Sequence, residues 1–181
     1  MQSVQLLDVK TREMTQAVLE TLRYRHLLDF EVLWMPLLRA TAEDDAHWDW
    51  VRKQRIYRNR DKHEKYAIAC AQATQGMMVL DTTPHQGRYL PHQSLLYVDY
   101  LATAPWNRRS IQTPTYRLVG STLLEFARYR SHQLGHGGYI GLHALPKSQA
   151  FYLKIGMIGY GEDPQRQHLH YFEWPPDENA N

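Results

Sequence analysis

The stretch from Ser94 to Ser131 restricts the fold more than any other part of the chain. SLLYVDYLATA (Ser94–Ala104) is a strongly apolar run ended by Pro105, which reads as a β-strand. WNRRSIQTPTY follows as a polar loop without periodicity, and RLVGSTLLEFARYRS then opens a helix. Leu123, Leu124, Ala127, Ser131 and Leu134 fall on one stripe of that helix, with Glu125, Arg128 and Arg130 facing away. An apolar strand feeding an amphipathic helix predicts a sheet with helices packed on it. The junction carries Gly120. A helix N-terminus offers unpaired backbone N–H groups and the positive end of the dipole, which together attract an anion. Glycine there lets the backbone approach a phosphate without a Cβ in the way. The pattern is neither a P-loop, which needs Gly-Lys-Ser/Thr, nor a Gly-x-Gly-x-x-Gly dinucleotide fingerprint. A tight turn packed under the sheet is the plainer reading of the same residues.

The remaining chain extends this layout. Val4–Val9 is a strand candidate. Thr11 and Thr15 serve as caps for a helix through Val18, Leu19, Leu22, Tyr24, Leu27 and Leu28. A second helix begins near TAEDDAHWDWVRKQRIY with Thr41 as N-cap. KYAIACAQATQGMMVLDTT reads as strand, turn, strand; PHQGRYLPHQ is a loop; LGHGGY stops the long helix. YIGLHAL is a strand, PKSQAFYLKIG a short helix from Pro146 to Gly156, QHLHYFEW a closing strand, and PPDENAN a frayed tail. The expected order is β-α-α-β-β-β-α-β-α-β, a mixed α/β sheet with helices on both sides. The 181 residues suit one domain over 1–174, followed by a flexible tail over 175–181. No apolar run approaches the ~20 residues needed to cross a bilayer. The N-terminus lacks the basic-then-apolar layout of a signal peptide, so a cytoplasmic protein is expected. The single cysteine, Cys70, excludes an internal disulfide and a cysteine-rich zinc site, and a formal charge of +2 is too small to suggest nucleic acid.

Taken together, GMMVLDTT, LLYVDYLATAP, RLVGSTLLEFA, YIGLHAL and QAFYLKIGM resemble the GNAT superfamily of acyl-CoA-dependent N-acetyltransferases. The resemblance is good over roughly residues 65–160, and rests on element order before that. It implies a mostly antiparallel central sheet and a loop of the form Arg/Gln-x-x-Gly-x-Gly/Ala that binds the CoA pyrophosphate through main-chain amides. Here that loop is Arg117, Leu118, Val119, Gly120, Ser121 and Thr122, with Thr122 in place of the small residue. The resemblance also implies that Leu101, Ala102 and Thr103 pair with pantetheine, that Ser148 and Tyr152 touch the cofactor, and that Tyr152 is the tyrosine of a Tyr-x-x-x-Gly-Phe signature. Met157 replaces its Phe. Two departures are that Leu145 stands where an Asn is common, and that the loop after Pro105 is several residues longer than usual.

Acetyl transfer to an amine needs a neutral amine, a polarised thioester carbonyl and a proton for the leaving thiolate. A primary alkylamine has a pKa near ~10.4, so a proton acceptor helps. Asp99, mid-strand among apolar neighbours, is expensive there unless it is paired or faces a wet cleft, which makes it a catalytic or substrate-binding candidate; a structural ion pair is the alternative. Glu173 and His143 are weaker candidates for the same task. Tyr152 is a suitable donor to the CoA thiolate, and a core aromatic is the other reading. His168 and His170 share a strand face, a geometry metals can use, but no third ligand stands at a convincing spacing, so no metal is expected. The basic run Arg52–Lys65 could grip RNA, lie beside the CoA 3′-phosphate or simply face solvent. Trp34, Trp48, Trp50 and Tyr57 could shape an apolar or cationic acceptor pocket or pack as core. The expected function is acetyl transfer from acetyl-CoA to an amine, with a homodimer compatible with the resemblance. The rivals are a CoA-binding module without chemistry and an acetyltransferase acting on charged tRNA.

Overall fold

A computed structural model describes residues 1–57 and 61–177. The strands are β1 (Gln2–Asp8), β2 (Met14–Thr21), β3 (His63–Cys70), β4 (Ala73–Gln86), β5 (Ser94–Thr103), β6 (Tyr116–Arg117), β7 (Ile140–Ala144), β8 (Ile158–Asp163) and β9 (Leu169–Trp174). The helices are α1 (Tyr24–Asp29), α2 (Met35–Ala40), α3 (Trp50–Ile56), α4 (Val119–Gln133) and α5 (Gln149–Lys154). The strands form one largely antiparallel sheet in the order β6-β1-β2-β3-β4-β5-β7-β9-β8, with β5 and β7 parallel. The expected mixed α/β architecture is therefore present. Two compact units divide the chain: Met1–Val79 with Tyr100–Leu123, and Leu80–Asp99 with Leu124–Asn181. β4, β5 and α4 each pass from one unit into the other. Among the described residues no helix is long and apolar enough to cross a membrane.

In the first unit the front of the helix expected through Val18–Leu28 is instead β2, a hairpin partner of β1 with Leu7 opposite Met14 and Gln2 opposite Leu19. Ala17 and Leu19 are buried in strand alternation, and the ready partner strand overrides the helical spacing read from the sequence. The helical segment starts only at Tyr24. Its stripe of Leu27, Phe30, Trp34 and Leu38 packs on Met77, Val79, Ala102 and Ala104. Phe30–Trp34 is a π-helical turn between α1 and α2. Pro36 has no N–H to return to Val32, and the helix widens just ahead of it. Asp29 and Trp34 fasten this segment to β4. The Asp29 carboxylate accepts from Thr74 N at 2.8 Å and Thr74 Oγ1 at 2.6 Å, and the Trp34 indole donates to the Thr74 carbonyl. Thr41 does not begin the next helix. It closes α2 by donating to the Leu37 carbonyl at 2.7 Å, whereas Asp49 caps α3 by accepting from Arg52 N at 2.7 Å. Arg58–Arg60, within the basic run, lie outside the described residues.

In the second unit β7 joins β5 to β9, and β8 was missed in the sequence because its residues are mostly exposed and rich in glycine. Arg128 was expected to face water. It is buried instead, with its guanidinium over the Trp174 ring, paired with Asp177 and donating to the Pro175 carbonyl. Pro175 and Asp177 meet α4 in this way because a buried arginine must find acceptors. Residues 178–181 lie outside the described residues.

Burial gives the fold a defined acid sensitivity. It pulls the imidazole of His26 below its ordinary value, helped by the charge of Arg25 and opposed by Glu20, and it does the same to His136. A histidine with a lowered folded-state pKa lets the unfolded chain bind the proton first, so stability falls as pH drops below the unfolded value near ~6.5. The thermal midpoint is expected to fall between pH 7.5 and 5.5, and a flat or rising midpoint would contradict this.

Candidate functional site

In the first unit the end of β5 and the start of α4 converge on Gly76. A Cβ built there would lie 2.7 Å from Val119 Cγ1, 3.0 Å from Leu123 Cδ1 and 3.4 Å from the Ala102 carbonyl oxygen. Gly76 is thus the glycine that brings strand and helix together, because only a missing side chain leaves the room. Met77, next along β4, faces the opposite way into the α1–α2 core. The turn into α4 also differs from expectation. Leu118 takes the left-handed conformation, with φ +73°, and is exposed. Such strain in a leucine persists only where its surroundings impose it. Thr122 N donates to the Leu118 carbonyl at 2.8 Å as the first helical bond, so the amides of Val119, Gly120 and Ser121 precede it and point out of the helix end. Arg117 and Arg109 line an adjoining cavity of about 390 Å³ with Val9, Gln112, Thr113 and Pro114.

The long loop after Pro105 is anchored by polar side chains. The Trp106 indole and the Asn107 amide both donate to Gln75 Oε1, at 2.9 and 3.0 Å, and Asn107 Oδ1 accepts from Tyr116 N. Arg108 donates twice to the Thr103 carbonyl, at 3.0 and 2.7 Å, and makes a two-pronged pair with Asp45 at 2.6 and 2.7 Å, with Glu43 at 3.1 Å. The terminal residues of β5, Leu101, Ala102 and Thr103, are therefore held at a definite place beside the helix start. Nearby, the Lys53 ammonium lies 3.3 Å from the Tyr100 ring centre and 5.2 Å from that of Trp48, with Trp50 and Tyr57 edging Tyr100. Trp34 and Trp50 are fully buried core, whereas Trp48 and Tyr57 are partly open.

In the second unit Tyr152 sits on α5, 5% exposed, its ring against Phe151 and Phe172. Burial pushes its hydroxyl well above the ordinary phenol range, and a hydrogen bond with Ser148 offsets part of that. Ser148 also donates to the Leu145 carbonyl at 2.8 Å. Parallel pairing of β5 with β7 covers Leu96–Val98 against Ile140–Leu142. Tyr97 and His143 stand on either side of its last pair, and Tyr97 Oη lies 2.6 Å from His143 Nδ1. His143 Nε2 lies 3.1 Å from Asp163 Oδ2. Asp99, one residue beyond the last pair, is half-buried. Glu173 is fully buried and structural: its carboxylate accepts from Arg88 N, Tyr89 N and the Tyr139 hydroxyl, which ties down the loop after β4. His168 is exposed beside Glu162, and among the described residues no three His, Cys, Asp or Glu gather as a metal site. Cys70 is buried, its thiol donating to the Gln16 carbonyl. Tyr97, Asp163, Gly76, Lys53 and Arg108 were missed by sequence reasoning. No spacing rule links positions on separate strands.

No protein-family model and no curated protein sequence matches the chain. Solved structures do. The histone acetyltransferase HPA2 and related acetyltransferase from Corynebacterium glutamicum superposes with a TM-score of 0.57 at 15% identity, over 91% of this chain and 99% of that one. The Bacillus subtilis N-acetyltransferase YlbP in complex with coenzyme A gives 0.55 at 19% identity, over 89% and 97%. The PaiA N-acetyltransferase from Thermoplasma acidophilum, also in complex with coenzyme A, gives 0.60 at 13% identity, over 89% and 99%. The chain has the fold of the GNAT acetyltransferases.

Proposed function

We propose that this chain is an acyltransferase that moves an acetyl group from acetyl-CoA to an amine by direct attack, with residues 1–174 working as one domain. The observation that carries the reading is the junction at Gly76, where the β5 end and the free amides of α4 meet. Leu101, Ala102 and Thr103 offer backbone groups to pantetheine. Val119, Gly120 and Ser121 offer free amides to the pyrophosphate, Leu118 sets the turn, and Arg117 supplies positive charge there; the Thr122 amide is spent on the Leu118 carbonyl and frames the site without donating to it. Tyr152 donates the proton to the departing sulfur, and Ser148 orients that hydroxyl. Asp99 is suited to holding an ammonium at the acceptor end.

Two measurements test this together. Acetyl-CoA is expected to raise the thermal midpoint of the chain in a concentration-dependent way. Thiol release over a panel of polyamines, amino acids, aminoglycosides and peptides is expected to reveal a turned-over amine. Absence of any shift would sink the cofactor assignment, and a shift without thiol release would leave a binding module.

A further inference from the structure

We infer that Tyr97, His143 and Asp163 form a proton relay that removes the proton from the attacking amine, with the Tyr97 hydroxyl as the group that meets it. This deepens the acyl-transfer reading above and rests on it. The three residues come from β5, β7 and the end of β8, so only the folded sheet assembles them.

The hydrogen positions follow from chemistry. Asp163 accepts from Gln165 N at 2.9 Å and from Arg88 Nη2 at 3.3 Å. Those bonds and His143 hold its carboxyl below the usual range, hence ionised. An ionised carboxylate only accepts, so His143 Nε2 carries a proton toward it. The Nδ1 lone pair is then left to accept from the Tyr97 hydroxyl, 2.6 Å away. A hydroxyl–imidazole–carboxylate series in that order is the arrangement by which a poor base becomes a usable one: the hydroxyl accepts a proton as it gives up its own.

The surroundings hold the series still. The His85 ring stacks on Tyr97 at 4.9 Å and is fixed in turn by Asp81 at 3.0 Å and Thr83 at 3.1 Å. The Arg166 guanidinium lies 5.7 Å from the Tyr97 ring centre, Tyr171 lies 4.8 Å from the His143 ring, and the Arg88 guanidinium lies 4.8 Å from the Tyr171 ring centre. The His143 side chain is 9% exposed and that of Asp163 17%. The charged and titratable groups facing His143 are therefore Asp163 on β8, Arg166 just after it, Arg88 after β4, Tyr97 on β5 and Tyr171 on β9, with Asp81 and His85 on β4 behind Tyr97. Burial lowers the His143 pKa most; Asp163 opposes this, and Arg166 and Arg88 add to it. The imidazole is thus neutral and able to accept at pH 7.

In the step, the amine nitrogen bonds to the thioester carbonyl carbon. Its N–H proton passes to Tyr97 Oη while the Tyr97 proton passes to His143 Nδ1, and the imidazolium faces Asp163. The C–S bond breaks, and sulfur leaves with the bonding electrons and takes the Tyr152 proton. Water then carries the proton from His143 back to Tyr152. Phe172 packs on Tyr152 and its neighbour Tyr171 on His143, so acceptor and donor lie on opposite faces of β9.

The test compares Y97F, H143Q, D163N and the exposed-residue control H168Q with the wild type, using acetyl-CoA and the best amine of the panel. Y97F and H143Q are expected to lose about 10²–10⁴-fold in kcat with KM for acetyl-CoA unchanged. The acid limb of the kcat profile should vanish in H143Q. It should move to lower pH in D163N, which loses the carboxylate that favours imidazolium. H168Q should match the wild type. If H143Q does not fold, as judged by its thermal midpoint, the near-isosteric Y97F carries the test. Turnover of Y97F within about threefold of wild type, well short of a general-base loss, overturns the relay. So does an acid limb retained in H143Q. A wild type that binds acetyl-CoA yet acylates no amine overturns acyl transfer and the relay with it; a wild type that turns over equally with Y97F overturns the relay alone.

Discussion

Tyr152→Phe is expected to lower kcat about 10²–10⁴-fold while acetyl-CoA binds as before. The substitution removes one oxygen and keeps the ring that packs on Phe151 and Phe172, at 5.2 and 5.6 Å between centroids. Fold and cofactor affinity should therefore survive. What disappears is the proton for the leaving sulfur, whose acid form lies near ~8.5 for an ordinary thiol. Burial keeps the Tyr152 hydroxyl protonated throughout the neutral range, so its proton is present whenever the thiolate forms. Steady-state kinetics with acetyl-CoA varied separate the two parameters: a fall in kcat with steady KM is the expected result, and unchanged kcat would refute the role.

Arg108→Ala is expected to cost about 3–5 kcal/mol, the usual penalty for removing one partner of a buried ion pair. Asp45 and Glu43 are 5% and 8% exposed, and the Arg108 guanidinium pairs with both. Its loss leaves two buried carboxylates facing each other and frees the Thr103 carbonyl from two hydrogen bonds. At about 2–4 °C per kcal/mol for a chain of this size, the midpoint should drop by roughly 6–20 °C. Arg108→Lys should recover only part of this, since an ammonium cannot reproduce the fork that spans Asp45. The second consequence is functional. The β5 end and the loop beyond it lose their anchor, so KM for acetyl-CoA should rise in the Lys variant, where the fold survives. A midpoint within a degree of wild type in Arg108→Ala would show that the carboxylates find other partners.

Much of the sheet was legible in the chain. SLLYVDYLATA and YIGLHAL read as strands because long apolar runs between turn residues have few other fates. The Gly156 helix stop was legible for a local reason, since its φ of +90° suits glycine. The misreadings have a common cause. Residues 15–22 carry apolar residues at helical as well as strand spacing, and pairing with β1 decided between them. Thr41 and Asp49 are both good caps, and which one starts a helix depends on where Trp50 is buried. Arg128 looked exposed because the acceptors that bury it, Asp177 and the Pro175 carbonyl, lie more than forty residues away.

The site shows the same division more sharply. The order of strand, loop, glycine and helix, together with a tyrosine on a short helix stopped by glycine, was determined by the sequence alone. Those features are local: propensity, period and capping act over a few residues, so they can be read in order along the chain. The tertiary structure decided which glycine lets the helix lie on the sheet: Gly76 on β4, where a Cβ would meet Val119 and Leu123. It also decided that Glu173 is a clamp for a loop and that His143 stands between a hydroxyl and a carboxylate. Each of these depends on distances between strands far apart in the chain. Hydrogen bonds and steric exclusion act over a few ångströms of space, whatever the separation in sequence, so only the folded sheet could bring Tyr97, His143 and Asp163 into line.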